Sequence, residues 1–187
     1  MKIAFIGAGN MGGAIVKGLY LSKVCKADEL FVADASEEAL KNISRINKNI
    51  FITTNNGEAA KRADYIIIAV KPWLVDTVID SIQSSIKSNQ IIISIAAGIE
   101  LSHISEKIGK NYTLFRVLPN TAVSLLAGMN FVSSLNASKE QEETILKVFN
   151  KLGRAIIIPE KQMSAFTNVS SCGIAYALRY LRAATEG

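Results

Sequence analysis

Two uninterrupted isoleucine runs, Ile66-Ile67-Ile68 and Ile91-Ile92-Ile93, constrain the fold of this chain more than any other feature. A strand with one wet face alternates apolar and polar residues, whereas a strand that is apolar throughout is covered on both faces. Such cover arises when helices cross between parallel strands, so strand and helix patterns should alternate along the chain. They do: strand-like segments at Lys2–Ile6, Leu30–Ala33, Ile50–Thr53, Tyr65–Val70 and Gln90–Ile95 are separated by helical patterns. Ser36 ahead of Glu37-Glu38 makes a good helix start. Further strands are expected at Tyr112–Val117, Met129–Val132 and Arg154–Ile158. Between the last two, Ser138 and Gln141 form a capping box for a helix with Ile145, Val148, Phe149 and Leu152 on one face, ended by Gly153. The expected fold over residues 1–159 is therefore α/β, a Rossmann-type doubly wound, mainly parallel sheet.

After Pro159 only helical signal remains, through Gln162–Val169 and Ile174–Ala184, with Ser170-Ser171-Cys172-Gly173 between them. The second stretch is apolar around much of its circumference, and such a helix needs partners on several sides. Residues 160–187 are thus expected to begin an all-helical C-terminal domain, cut short at Gly187 or completed by another subunit.

The chain has 187 residues, 49% of them apolar and 20% charged, enough for one sizeable core. No apolar run approaches the roughly 18 residues that span a bilayer, which argues against a membrane protein. Cys25 and Cys172 lie far apart and there is one histidine, so neither a metal site nor a disulfide framework is indicated and a reducing cytoplasm is expected. The net charge is +5, but the lysines are scattered rather than set in a basic block with aromatics, which argues against nucleic acid as a partner.

Directly behind the first strand stands Gly7-Ala8-Gly9-Asn10-Met11-Gly12, followed by Ile15, Leu19 and Tyr20 at helical spacing. Strand, G-x-G-x-x-G and helix, in that order, make a dinucleotide-binding turn. Gly7 serves the tight turn, Gly9 the approach of a pyrophosphate and Gly12 the close packing of helix on strand. An ordinary glycine turn is the alternative. Asp34 closes the second strand 22 positions after Gly12, where a carboxylate accepts hydrogen bonds from a ribose 2′-hydroxyl and favours NAD. A helix-capping role for Asp34 is the competing reading, and Ser36 with the amides of that helix start could instead hold a phosphate.

Ligands of an open parallel sheet bind beyond the carboxyl ends of its strands. The residues there are Gly7 to Gly12, Asp34-Ala35-Ser36, Asn55-Asn56, Ala69-Val70-Lys71-Pro72, Ala96-Ala97-Gly98 and Leu118-Pro119-Asn120-Thr121. No acid–base constellation stands out. His103 reads as a surface or core histidine, Arg116 as a structurally paired strand residue, and Cys172 as a small packing residue without a histidine to activate it. Lys71 is better placed, at a strand end beside the expected nicotinamide ribose.

Four segments in this order, Gly7-Ala8-Gly9-Asn10-Met11-Gly12, Ala69-Val70-Lys71-Pro72, Ser94-Ile95-Ala96-Ala97-Gly98 and Arg116-Val117-Leu118-Pro119-Asn120-Thr121, resemble the pyrroline-5-carboxylate reductase family. Ser170 to Tyr176 is similar to that family's Ser-Gly-Ser-Gly-Pro-Ala-Tyr segment, departing at Ser171, Cys172 and Ile174. The resemblance implies reduction of the imine 1-pyrroline-5-carboxylate to L-proline with NADP or NAD as cofactor. It implies that Ile6 and Gly7 to Gly12 hold the pyrophosphate, that Asp34, Ser36 and Asn56 meet the adenosine, and that Ala69, Val70, Lys71, Pro72, Ala96 and Ala97 meet the nicotinamide half. Pro119, Asn120 and Thr121 would line the substrate cleft. Where family members carry Asn-Arg or Ser-Pro at the second strand's end, this chain has Asp34-Ala35, so Asp34 points to NAD and the family to NADP. The family's catalytic threonine, and most of the helices that build its homo-oligomer, would fall past Gly187. Two other readings stay open: a cofactor-binding module without turnover, and a β-hydroxyacid dehydrogenase-like oxidoreductase, for which the helical region offers only Lys161.

Overall fold

The computed structural model describes residues 1–187, and eight strands make one sheet in the order β3-β2-β1-β4-β5-β6-β7-β8. The strands are β1 (Ile3–Ile6), β2 (Leu30–Ala33), β3 (Phe51–Thr53), β4 (Tyr65–Ile68), β5 (Ile91–Ser94), β6 (Thr113–Leu118), β7 (Gly128–Leu135) and β8 (Gly153–Ile157). All neighbours are parallel except β6 and β7. The chain leaves β1 in one direction for β2 and β3, then returns to β1's other edge at β4, so the topological switch lies between β1 and β4.

The two-sided burial expected of the isoleucine runs is present. Ile67 packs into one core with Ile3 and Phe5, while Ile66 and Ile68 pack into a second with Ala4 and Ile6. Helices α1 (Asn10–Leu21), α2 (Glu37–Ile46) and α6 (Lys139–Asn150) cover the first face; α3 (Asn56–Ala60), α4 (Val75–Ile82) and α5 (Leu101–Ile108) cover the second. Local signals set the helix starts: the Ser36 hydroxyl accepts the Ala39 amide, and Ser138 and Gln141 form the reciprocal capping box.

The structure corrects several expectations. Strand β7 spans Gly128–Leu135 rather than Met129–Val132: Ser133, just past the expected end, is buried and donates to the Ile158 carbonyl at 2.6 Å, while Asn130 inside the strand donates to the Phe149 carbonyl at 3.2 Å. Gly153 does not end α6; it opens β8 at φ +141°, and a Cβ there would lie 1.9 Å from the Gly128 carbonyl oxygen of the neighbouring strand. Residues 170–173 do not separate two helices. Helix α7 (Met163–Thr167) passes through a π-helical turn at Asn168–Cys172 straight into α8 (Gly173–Glu186), absorbing the extra residue as a bulge.

Cys172 is exposed on that turn rather than packed, whereas Cys25 is buried. Burial pushes the Cys25 thiol from its ordinary 9.0 up to about 11, with the N-terminal ammonium opposing and Glu29 adding to the rise. Near neutral pH a maleimide should label one thiol in the folded protein and two after denaturation, because the thiolate is the reactive form and Cys25 is kept from it. Since the folded-state value is raised, its contribution to stability is complete below pH 9 and is lost as pH climbs through about 11.

Candidate cofactor and substrate clefts

The carboxyl ends of β1 to β5 surround a cleft of about 690 Å³, within the range of small-molecule sites. Its walls include Ile6, Gly7, Gly9, Asn10 and Met11 from the first turn, Asp34 and Ala35 after β2, and Ala69, Val70 and Lys71 after β4, with Asn56 beside them. The turn is possible only with glycine at its ends. Gly7 adopts φ +109°, and a Cβ on Gly12 would lie 2.2 Å from the Gly7 carbonyl oxygen. Helix α1 therefore starts hard against the end of β1. No side chain caps it and its first turn carries no acidic residue, so its leading amides and dipole are directed at the cleft. That donor set fits the pyrophosphate of a dinucleotide.

Of the two roles weighed for Asp34, helix capping falls to Ser36, and Asp34 instead faces the cleft. One carboxylate oxygen accepts the Ala8 amide at 2.6 Å and the other accepts the Ser36 amide at 2.8 Å. Ala8 and Ser36 line a neighbouring groove between α1 and α2, while Gly12, Pro72, Ala96 and Ala97 line neither space. Ala96 is buried in the second core, and Ile95 takes the cleft-facing place after β5. Sequence reasoning passed over Ile95 and Thr54, although both follow a strand directly; Leu74 and Thr77 reach the cleft from the α4 region, for which no sequence signal existed.

A second cavity of about 320 Å³ shares Met11 with the first. Pro119, Asn120 and Thr121 form one side of it, and Ser171, Ile174, Ala175 and Leu178 the other. Asn120 ties the two sides together: its amide nitrogen donates to the Ser170 carbonyl at 3.1 Å and its oxygen accepts the Met129 amide at 3.3 Å. Below them Arg116, 9% exposed, donates to Glu160 at 2.9 Å, and the same carboxylate oxygen accepts the Leu101 amide at 2.9 Å. Glu160 was not singled out in the sequence because its partners lie 44 and 59 residues away.

His103 is exposed and within 2.7 Å of Asp76, outside both cavities. Lys71 lines the first cavity at the end of β4. No cluster of metal-ligating side chains is present, and no helix is long and apolar enough to cross a membrane.

Residues 2–98 match the family described as NADP oxidoreductase coenzyme F420-dependent. Among curated proteins, pyrroline-5-carboxylate reductase of Methanosarcina acetivorans is 31% identical over 100% of this chain and 69% of its own length. Pyrroline-5-carboxylate reductase 1 of Dictyostelium discoideum is 32% identical over 99% of this chain, which spans only 35% of that protein. The crystal structure of the Plasmodium falciparum pyrroline carboxylate reductase with NADP bound superposes with a TM-score of 0.87 at 28% identity, over 98% of this chain and 67% of the other.

Proposed function

We propose that this chain, which belongs to the pyrroline-5-carboxylate reductase family, binds NAD(P)H and serves the reduction of 1-pyrroline-5-carboxylate to L-proline. The observation that carries the reading is that Met11 lines both cavities: the cleft at the glycine turn, and a smaller space walled by the Pro119-Asn120-Thr121 turn and the C-terminal helix.

The bound nicotinamide supplies a hydride, which with one proton converts the C=N bond of the imine into the C–H and N–H bonds of proline. The residues of the chain bind and orient. The leading amides of α1 take the pyrophosphate, Asp34 and Asn56 face the adenosine end, and Ala69, Val70 and Lys71 border the nicotinamide end. A protonated imine is already electrophilic, so holding the two reacting carbons together supplies much of the acceleration, up to roughly 7–11 kcal/mol. Asn120 acts as a brace: one hydrogen bond joins the substrate-side turn to the π-helical turn at Ser170, and the other fixes Asn120 to Met129 of β7.

The same reading makes residues 1–159 the cofactor domain and 160–187 the start of a helical domain. None of the residues of α8 is buried, and Tyr176, Leu178, Tyr180 and Leu181 are exposed large apolar side chains, which supports contact there with further helices of a family-type oligomer. Two free cysteines suit a cytoplasmic setting.

The test is to mix the chain with NADH or NADPH and then add pyrroline-5-carboxylate, following nicotinamide absorbance and proline formation. Expected is cofactor binding, with oxidation stoichiometric with proline either in this chain or in its fusion to the C-terminal helices of the Methanosarcina relative. Absence of oxidation in both, under conditions where that relative turns over, overturns the assignment.

A further inference from the structure

We propose that this chain selects NADH over NADPH, and that Asp34 sets the choice as an immobilised carboxylate at the adenosine ribose. The inference rests on the assignment of the larger cleft to the dinucleotide.

The carboxylate is held from two sides. The Ala8 amide of the glycine turn and the Ser36 amide of the turn into α2 each donate to a separate oxygen, at 2.6 and 2.8 Å. Rotating the side chain away from the cleft breaks both bonds at once, so the charge stays where it is when a ligand arrives. Each oxygen retains a lone pair, able to accept from a ribose hydroxyl. A 2′-phosphate in the same place meets a fixed negative charge, and the two amides that could have bound it are already engaged by Asp34.

The surroundings act in the same direction. The first turn of α2 adds Glu37 and Glu38. The single cation lining the cleft is Lys71, which follows β4 at the nicotinamide end. Neither Arg62 nor Lys41 lines the cleft: Arg62 bonds Glu58 at 3.1 Å and lies over the Phe51 ring, and Lys41 stands 4.0 Å from Glu37. Lys17 and Arg45 border the groove between α1 and α2, which shares Gly9 and Asn10 with the cleft, but neither lines the cleft itself.

Equilibrium titration of the full chain with NADH and with NADPH, without imine, tests the selection apart from turnover. NADH should bind at least about tenfold more tightly, and added salt should narrow the gap by screening the 2′-phosphate from Asp34. The Asp34→Ser and Asp34→Asn variants separate charge from bracing. Loosening the glycine turn weakens both cofactors by one common factor, because the pyrophosphate is common to both. Removing the charge changes their ratio. A shift of the ratio toward NADPH by about tenfold in both variants supports the proposal. Equal or tighter binding of NADPH by the unaltered chain overturns it, as does a ratio that stays constant in the variants while both affinities fall. Binding of neither dinucleotide overturns the cleft assignment as well.

Discussion

Gly12→Ala is expected to abolish useful dinucleotide binding, raising Kd by a factor of about 100 or more, equivalent to roughly 2.8 kcal/mol. The added Cβ would sit 2.2 Å from the Gly7 carbonyl oxygen and 3.2 Å from the Ala69 Cβ. A Cβ has no torsion with which to escape, so the first turn of α1 must move off the end of β1, taking the phosphate-facing amides with it. Overpacking of this kind destabilises by about 1–3 kcal/mol, so the melting temperature should fall by several degrees as well. Gly9→Ala is the informative contrast. No atom lies within 4 Å of a Cβ at Gly9, so that variant should fold with near-native stability and still lose affinity, its methyl group occupying the approach of the pyrophosphate. Calorimetric titration with NADH alongside thermal melts distinguishes the two. Native affinity in Gly12→Ala would remove the turn from the binding site.

Arg116→Ala should be among the most destabilising single changes outside the apolar core, at about 2–4 kcal/mol. The guanidinium lies in the middle of β6, where its backbone pairs with Ser94 of β5 and Ser133 of β7. Removing it leaves Glu160 with the Leu101 amide alone, a partly buried carboxylate without its counter-charge. The Glu160 side chain is 27% exposed, so water offsets some of the loss and the lower half of the range is expected. Asp80→Ala, which deletes the exposed partner of Lys107, should cost far less by comparison. Urea unfolding of the variants measures both. A loss below about 0.5 kcal/mol for Arg116→Ala would mean that the pair does not join sheet, α5 and helical segment as described.

What could be read from the residues followed from short-range physics. Ile66-Ile67-Ile68 and Ile91-Ile92-Ile93 require cover on both faces wherever they pair, and Gly7 to Gly12 encode a turn through sterics acting within six residues. The Ser36 and Ser138 starts were legible for the same reason, since a capping hydroxyl meets an amide three residues on. Strand β7 was half-hidden because Ser133 and Ser134 look solvent-seeking in a list of residues, while the burial of Ser133 depends on its bond to the Ile158 carbonyl, 25 residues away. The Ser170 to Gly173 segment looked like a break for a similar reason: Ser and Gly favour turns locally, while in the continuous helix the Ser170 carbonyl accepts from Asn120, 50 residues away.

The sequence by itself determined the doubly wound sheet, the glycine turn at its first strand and the acidic residue at its second, because each follows from propensity, periodicity or spacing within one strand–helix unit. The tertiary structure alone decided what Asp34 does and which residues share a cavity. A carboxylate chooses its partners in three dimensions, and only when β1 and β2 lie side by side do the Ala8 and Ser36 amides converge on one side chain. The meeting of Met11 with Thr121 and Leu178 around one cavity has the same origin, in elements far apart in the chain.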